Sequence, residues 1–142
     1  IISTKRYIRY MAKKEYFDNK KTRWFFSSVG CISVDRQNHD GKAKEEAIKT
    51  LQDGGAIGLF PEGTRNGLAK GEKVKDGAAF FAVRSGAPVV PCGIKGGTKG
   101  DWKVTITYGK PLDFSQYKGS KDKEVLDKVT EEIMSNIIEL TK

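Results

Sequence analysis

The sequence has a single histidine, His39, among 142 residues. Any histidine-based catalytic pair or metal centre built from these residues has one imidazole to draw on. Long apolar runs are missing too. The longest, residues 56–60 and 77–83, fall far short of the roughly 20 residues a membrane-spanning helix needs. The opening Ile-Ile-Ser-Thr-Lys-Arg carries no apolar signal-peptide core. Cysteine occurs twice, at Cys31 and Cys92, with no C-x-x-C spacing. That argues against a disulfide framework and a zinc site, and both thiols are expected to be buried in a reducing compartment. G-x-x-x-x-G-K-[ST], G-x-G-x-x-G after a strand, and G-x-S-x-G are all absent, which excludes a P-loop, a dinucleotide fold and a hydrolase elbow. Methionine stands only at positions 11 and 134, and residue 1 is Ile. Chain is therefore expected before Ile1.

What is abundant is positive charge. The formal net charge is +8. Residues 1–36 hold nine Lys/Arg against three acids, so most of the excess lies in the first quarter. Tyr7, Tyr10, Tyr16, Phe17, Trp24, Phe25 and Phe26 are interleaved with it. Such a surface suits phosphate-rich partners: a nucleic acid, an anionic membrane face or a phosphorylated substrate. A solvated lysine face is the plainer alternative. Length and composition fit one globular domain over residues 1–142.

Periodicity predicts strands at residues 7–12, 31–34, 56–60, 88–94 and 102–108, with the 88–94 strand bent or at an edge because of Pro91. It predicts helices at 15–29, 43–51, 77–84 and 121–140. The last would bury Val125, Val129, Ile133, Ile137 and Leu140. Gly54-Gly55 and Ser85-Gly86 read as helix ends; Gly93, Gly96, Gly97 and Gly100 read as turn residues. The alternation of strand and helix predicts an α/β fold: a mainly parallel, mixed sheet flanked by helices. Ligands then bind beyond the carboxyl ends of strands, where Asp35-Arg36 and residues 61–66 fall.

The segment Phe60-Pro61-Glu62-Gly63-Thr64-Arg65-Asn66 places an acid, a hydroxyl and a guanidinium in a tight turn after a buried strand. Arg65 offers a planar fork suited to phosphate. Gly63 allows close backbone approach. Glu62 can accept bonds from ligand hydroxyls or pair with Arg65. Alone, the segment reads equally as a polar turn with a surface salt bridge.

It does not stand alone. Gly30-Cys31-Ile32-Ser33-Val34-Asp35-Arg36 precedes it, and Ala87-Pro88-Val89-Val90-Pro91 follows. In this order the three resemble the second, third and fourth blocks of the glycerolipid acyltransferase family. Met11-Ala12-Lys13-Lys14-Glu15-Tyr16-Phe17 and Tyr108-Gly109-Lys110-Pro111 resemble its flanking segments, so the likeness runs over about residues 6–114. The family's first block, His-x-x-x-x-Asp, is absent from this sequence. Lys44 stands five residues after His39, and His39 lies on the wrong side of block two. The chain is therefore expected to lack the N-terminal part of its domain that carries this motif, and to be inactive alone.

The resemblance implies acyl transfer from acyl-CoA or acyl carrier protein to the free hydroxyl of 1-acyl-glycerol 3-phosphate, giving phosphatidic acid. Such a hydroxyl needs a neutral His as base and an Asp to orient it. The resemblance leaves these residues the acceptor-binding half of the site. Arg65 and Lys13 would bind the acceptor phosphate. Glu62, Gly63 and Thr64 would shape the glycerol site, and Asp35 and Arg36 would bind the acceptor or hold that site together. An ion pair of Arg36 with Asp35 or Glu62 is an equal alternative. No metal and no cofactor beyond the donor is implied. The expected location is the cytoplasmic face of a membrane, with no nucleic-acid partner. The other readings are a basic nucleic-acid-binding module and a non-catalytic scaffold of the same fold.

Overall fold

The computed structural model describes residues 5–35, 41–62, 74–98 and 101–142. The chain divides into two compact units, Ile1–Phe60 and Pro61–Lys142.

The first unit is a three-stranded parallel sheet in the order β2-β1-β3: β1 is Ile8–Lys13, β2 Ile32–Val34 and β3 Ala56–Gly58. Met11 pairs with Ile32 and Lys13 with Val34; on the other edge Ile8 pairs with Ala56. Parallel strands need a crossover between them. Helices α1 (Glu15–Asp18) and α2 (Lys20–Ser28) supply the first, and α3 (Gly41–Gln52) the second. Ala43 and Ala47, one turn apart on α3, are buried, as is Ile32. Small residues there let the helix lie close to β2 and β3. The expected single helix over 15–29 is instead two. Asn19 takes an extended conformation, φ −86° and ψ 126°, and its side chain accepts from the Lys21 N–H. An asparagine that caps the second helix must interrupt the first.

Arg9 ties this unit together. Its Nε donates to the Gly30 carbonyl at 2.8 Å, one terminal nitrogen to Thr50 Oγ1 at 2.9 Å, and the other to Glu46 Oε1 at 2.5 Å. The central strand is thereby bonded to the turn before β2 and to α3. As expected, α3 ends at Gly54, with φ +80°.

In the second unit α4 (Gly77–Ser85) packs on α5 (Lys123–Thr141). Ala79, Ala82, Val83, Phe114, Val129 and Ile133 form its buried core. Val125 and Ile137 pack against it, half-buried, as the helical spacing predicted; Met134 is buried as well. Asp122 caps α5, its carboxylate accepting from the Glu124 N–H at 3.0 Å. That satisfies one of the unpaired amides of the first turn and places an acid at the positive end of the helix.

Two expectations fail in the remaining hairpin, β4 (Cys92–Thr98) with β5 (Asp101–Tyr108). The strand expected over 88–94 starts after Pro91, and residues 88–90 contribute only an isolated bridge between Val89 and Leu112. Proline has no N–H for the ladder. Gly93, Gly96 and Gly97, read as turn residues, lie inside β4. Gly93 is there because α5 presses on it: a Cβ would sit 2.6 Å from the Leu140 carbonyl oxygen. Gly96, at φ +88°, sits at a bulge, where a Cβ would run into the Lys103 carbonyl oxygen.

The alternation in β5 is real, but its apolar side is not in the core. Trp102, Val104, Ile106 and Tyr108 are exposed, and so is Ile94, which pairs with Ile106. Directly opposite residues share a sheet face, so α5 meets the hairpin at Gly93, on the Gly93–Thr107 side, and the apolar side stays exposed.

Candidate functional site

Because β1, β2 and β3 are parallel, their carboxyl ends lie along one edge of the sheet. Lys13 closes β1 there and is exposed. The next residue turns the chain: the Lys14 N–H donates to the Val34 carbonyl at 3.0 Å. That bond locks the ends of β1 and β2 side by side and brings Lys14 Nζ to 3.3 Å from Asp35 Oδ2. The carboxylate is mostly covered, its side chain 19% exposed, while that of Lys14 is 56% exposed. The pairing orients the Asp35 carboxylate, and the exposed ammonium, with three donors, keeps donors for a further anion.

The resemblance implies Lys13 as a phosphate cation, with an ion pair of Arg36 with Asp35 or Glu62 as an equal alternative to direct contact. The structure adds Lys14, whose ammonium pairs with Asp35. It was missed because strand periodicity says nothing about the first residue after a strand. Arg36 lies outside the described residues, as do Gly63, Thr64 and Arg65.

The chain leaves β3 at Gly58 and passes through Phe60, whose ring stacks with Tyr10 at 6.4 Å between centroids. Gly58 has no side chain because the Tyr10 ring occupies its place. In the second unit Glu62 follows Pro61 and is half-buried. The Lys75 N–H donates to the Pro61 carbonyl at 3.1 Å. This bond brings together the two ends of the segment that contains Glu62, Gly63, Thr64 and Arg65.

Cys31 and Cys92 are free, as expected, but only half-buried. The expectation of buried thiols is therefore corrected: β2 begins one residue after Cys31, and Cys92 opens a two-stranded hairpin with one uncovered face. Burial still pushes both thiols above the ordinary value of 9.0; for Cys31 a hydrogen bond with the Tyr10 backbone and the Arg9 charge oppose the rise. A thiol whose folded value is raised favours folding fully below its unfolded value, and that contribution fades as pH rises through the folded value. Alkylation by iodoacetamide at pH 8, followed by mass spectrometry, should be several-fold slower for each cysteine in the folded chain than in urea. Equal rates would show that the burial does not hold in solution.

Among the described residues no cluster of three His, Cys, Asp or Glu is placed to hold a metal ion. Among them, too, no helix is long and apolar enough to cross a membrane.

Comparison with known proteins gives this edge its context. The acyltransferase family model matches residues 2–95. A 1-acyl-sn-glycerol-3-phosphate acyltransferase of Bacillus subtilis (strain 168) is 34% identical over 138 residues, covering 94% of this chain and 68% of that protein. An enzyme of the same name from Streptococcus pneumoniae is 29% identical over 122 residues, 82% of this chain and 45% of its own length. Among solved structures, the 1-acyl-sn-glycerophosphate (LPA) acyltransferase PlsC from Thermotoga maritima superposes with a TM-score of 0.62 at 29% identity. It covers 94% of this chain, which spans 57% of that one. The α/β architecture is thus shared, and the chain belongs to the glycerolipid acyltransferase family.

Proposed function

We propose that this chain forms the acceptor-binding part of an acyltransferase that moves a fatty acyl group from acyl-CoA or acyl carrier protein to 1-acyl-glycerol 3-phosphate, giving phosphatidic acid at the cytoplasmic face of a membrane. The observation that carries the reading is the ordered set of blocks in the sequence, with Asp35 of the second block held by Lys14 at the joined ends of β1 and β2. The named relatives act on this acceptor by their names.

Each residue has a task in that reading. By the family resemblance Arg65 and Lys13 take the acceptor phosphate; Lys14 adds a donor at the strand edge that Lys13 closes. A bidentate guanidinium fixes the headgroup's orientation, and a lysine adds charge without fixing an angle. Asp35 holds Lys14 in place. Glu62 accepts a bond from a glycerol hydroxyl, and Gly63 and Thr64 let the backbone close on the headgroup. Arg36 keeps the role that the resemblance implies, binding the acceptor or pairing with Asp35 or Glu62. Such placement lowers the barrier to acyl transfer by fixing the attacking hydroxyl relative to the thioester.

Equilibrium binding tests this directly. A short-chain 1-acyl-glycerol 3-phosphate should bind at least about tenfold more tightly than the monoacylglycerol of the same chain length, since a charged hydrogen bond contributes roughly 1.5–3 kcal/mol. Equal affinity for the two would refute a phosphate-reading acceptor site. Acyl transfer assayed with each donor in turn identifies the thioester used.

A further inference from the structure

The edge that carries Lys13, Lys14 and Asp35 runs directly into α1, and α1 turns into α2. This helical corner is built rigidly. Phe26 is the hub of its aromatic packing, 4.8 Å from the Tyr16 ring centroid, 6.0 Å from Phe17 and 5.5 Å from Phe25. Arg23 Nε donates to the Phe17 carbonyl at 2.5 Å, and Asn19 caps α2. Thr22, Phe26 and Val29 form the half-buried side of this segment.

The opposite side is unusual for a helix that faces water. Trp24 is 74% exposed and Phe25 54% exposed, with Tyr16 nearby in sequence on α1 at 47%. No residue of α2 is buried and none is acidic. Lys20 and Lys21 precede Trp24 by four and three positions, so all three share one face. Helical side chains lean toward the N-terminus, which lays the indole over the turn that carries both lysines. A flat aromatic between cations on an outward helix face combines the two features of an interfacial helix: rings that settle at headgroup level and charges that meet anionic lipid.

We propose that the α1–α2 corner is a docking element that seats on an anionic bilayer surface, with Trp24 and Phe25 entering the headgroup layer and Lys20 and Lys21 meeting lipid phosphates. The proposal rests on the reading of the acceptor as a lipid, since docking here sets the strand ends that hold Lys13 and Asp35 beside the surface from which that lipid is drawn. On α2, Lys20, Lys21 and Arg23 stand with no acid, and this charge complementarity selects an anionic bilayer over a protein partner; the exposed acids of α1, Glu15 and Asp18, stay outside the contact.

The test uses the full chain with Trp102→Phe, so that Trp24 is the only tryptophan, and vesicles that contain no acceptor. Against phosphatidylglycerol–phosphatidylcholine vesicles, Trp24 emission should shift to the blue and become shielded from acrylamide, with little change against phosphatidylcholine alone. Lys20→Gln/Lys21→Gln should weaken sedimentation with the anionic vesicles at least about tenfold, because each cation near such a surface contributes roughly fivefold. Trp24→Ser/Phe25→Ser should abolish most of it, with circular dichroism and turnover of a soluble short-chain acceptor by the active enzyme unchanged. Cosedimentation with unchanged Trp24 emission, or wild-type binding by either double variant, overturns the proposal. So does a blue shift without vesicles that grows with protein concentration, which would mean self-association. Vesicle binding together with equal affinity for a soluble 1-acyl-glycerol 3-phosphate and the matching monoacylglycerol would refute the acceptor reading and leave docking supported.

Discussion

Replacing Arg65 by Ala in the active enzyme is expected to raise the acceptor's KM roughly tenfold to a hundredfold, and to leave the donor's KM nearly unchanged. The acceptor phosphate is doubly charged near neutral pH, and a guanidinium meets it with two parallel bonds. Removing one charged partner costs roughly 1.5–3 kcal/mol, and each 1.4 kcal/mol is about a factor of ten in affinity. Lys at position 65 should restore part of the loss, because it supplies charge without the fork. Lys14→Ala should produce a smaller effect of the same kind, since its cation is paired with Asp35 and is more exposed. Initial-rate kinetics with each substrate varied in turn separates the outcomes. A raised donor KM with an unchanged acceptor KM would move the phosphate anchor away from Arg65, to Lys13 or Arg36.

The blocks were legible because they are local. Phe60 to Arg65 is contiguous, and a strand followed at once by Pro and Gly is a strand end in any fold. The three parallel strands were legible too, since each is short, apolar and separated from the next by a helical stretch long enough for a crossover. What periodicity could not convey is which face another element covers. Residues 102–108 alternate as a half-buried strand should, yet α5 lies on the side of Gly93 and leaves Trp102 89% exposed. The same contact explains the misread glycines. Gly93 looks like a turn residue in sequence, but it is a strand residue whose missing side chain makes room for Leu140, 47 residues on. Lys14 belongs with these. Its pairing with Asp35 depends on the register between β1 and β2, and register is a property of two segments that neither specifies alone.

Arg9 is the largest such case, and Arg9→Met is expected to destabilise the first unit more than any other single change in its sheet. Nothing around residue 9 distinguishes it from the other cations of the first quarter. Its partners lie 21, 37 and 41 residues away, at Gly30, Glu46 and Thr50. Met keeps most of the aliphatic volume and removes all three bonds. Glu46 is half exposed and recovers water at little cost, so most of the loss comes from the Gly30 carbonyl and the Thr50 hydroxyl, whose bonds to Arg9 are part-buried. Hydrogen bonds to a charged group contribute roughly 1.5–3 kcal/mol each. Because one guanidinium serves them jointly, the expected total is about 3 kcal/mol, and the melting temperature should fall by at least roughly 6–12 °C. Cys31 reports the same event locally, since it follows Gly30 and its thiol is influenced by the Arg9 charge. If Arg9 acted only as a nearby charge, its removal would raise the Cys31 pKa and slow alkylation, with no change in melting. If it ties β1 to the Gly30 turn, melting falls and Cys31 alkylates faster, because the turn opens more often. Calorimetry and the alkylation rate of Arg9→Met, measured together, separate these two outcomes by the sign of the change at Cys31.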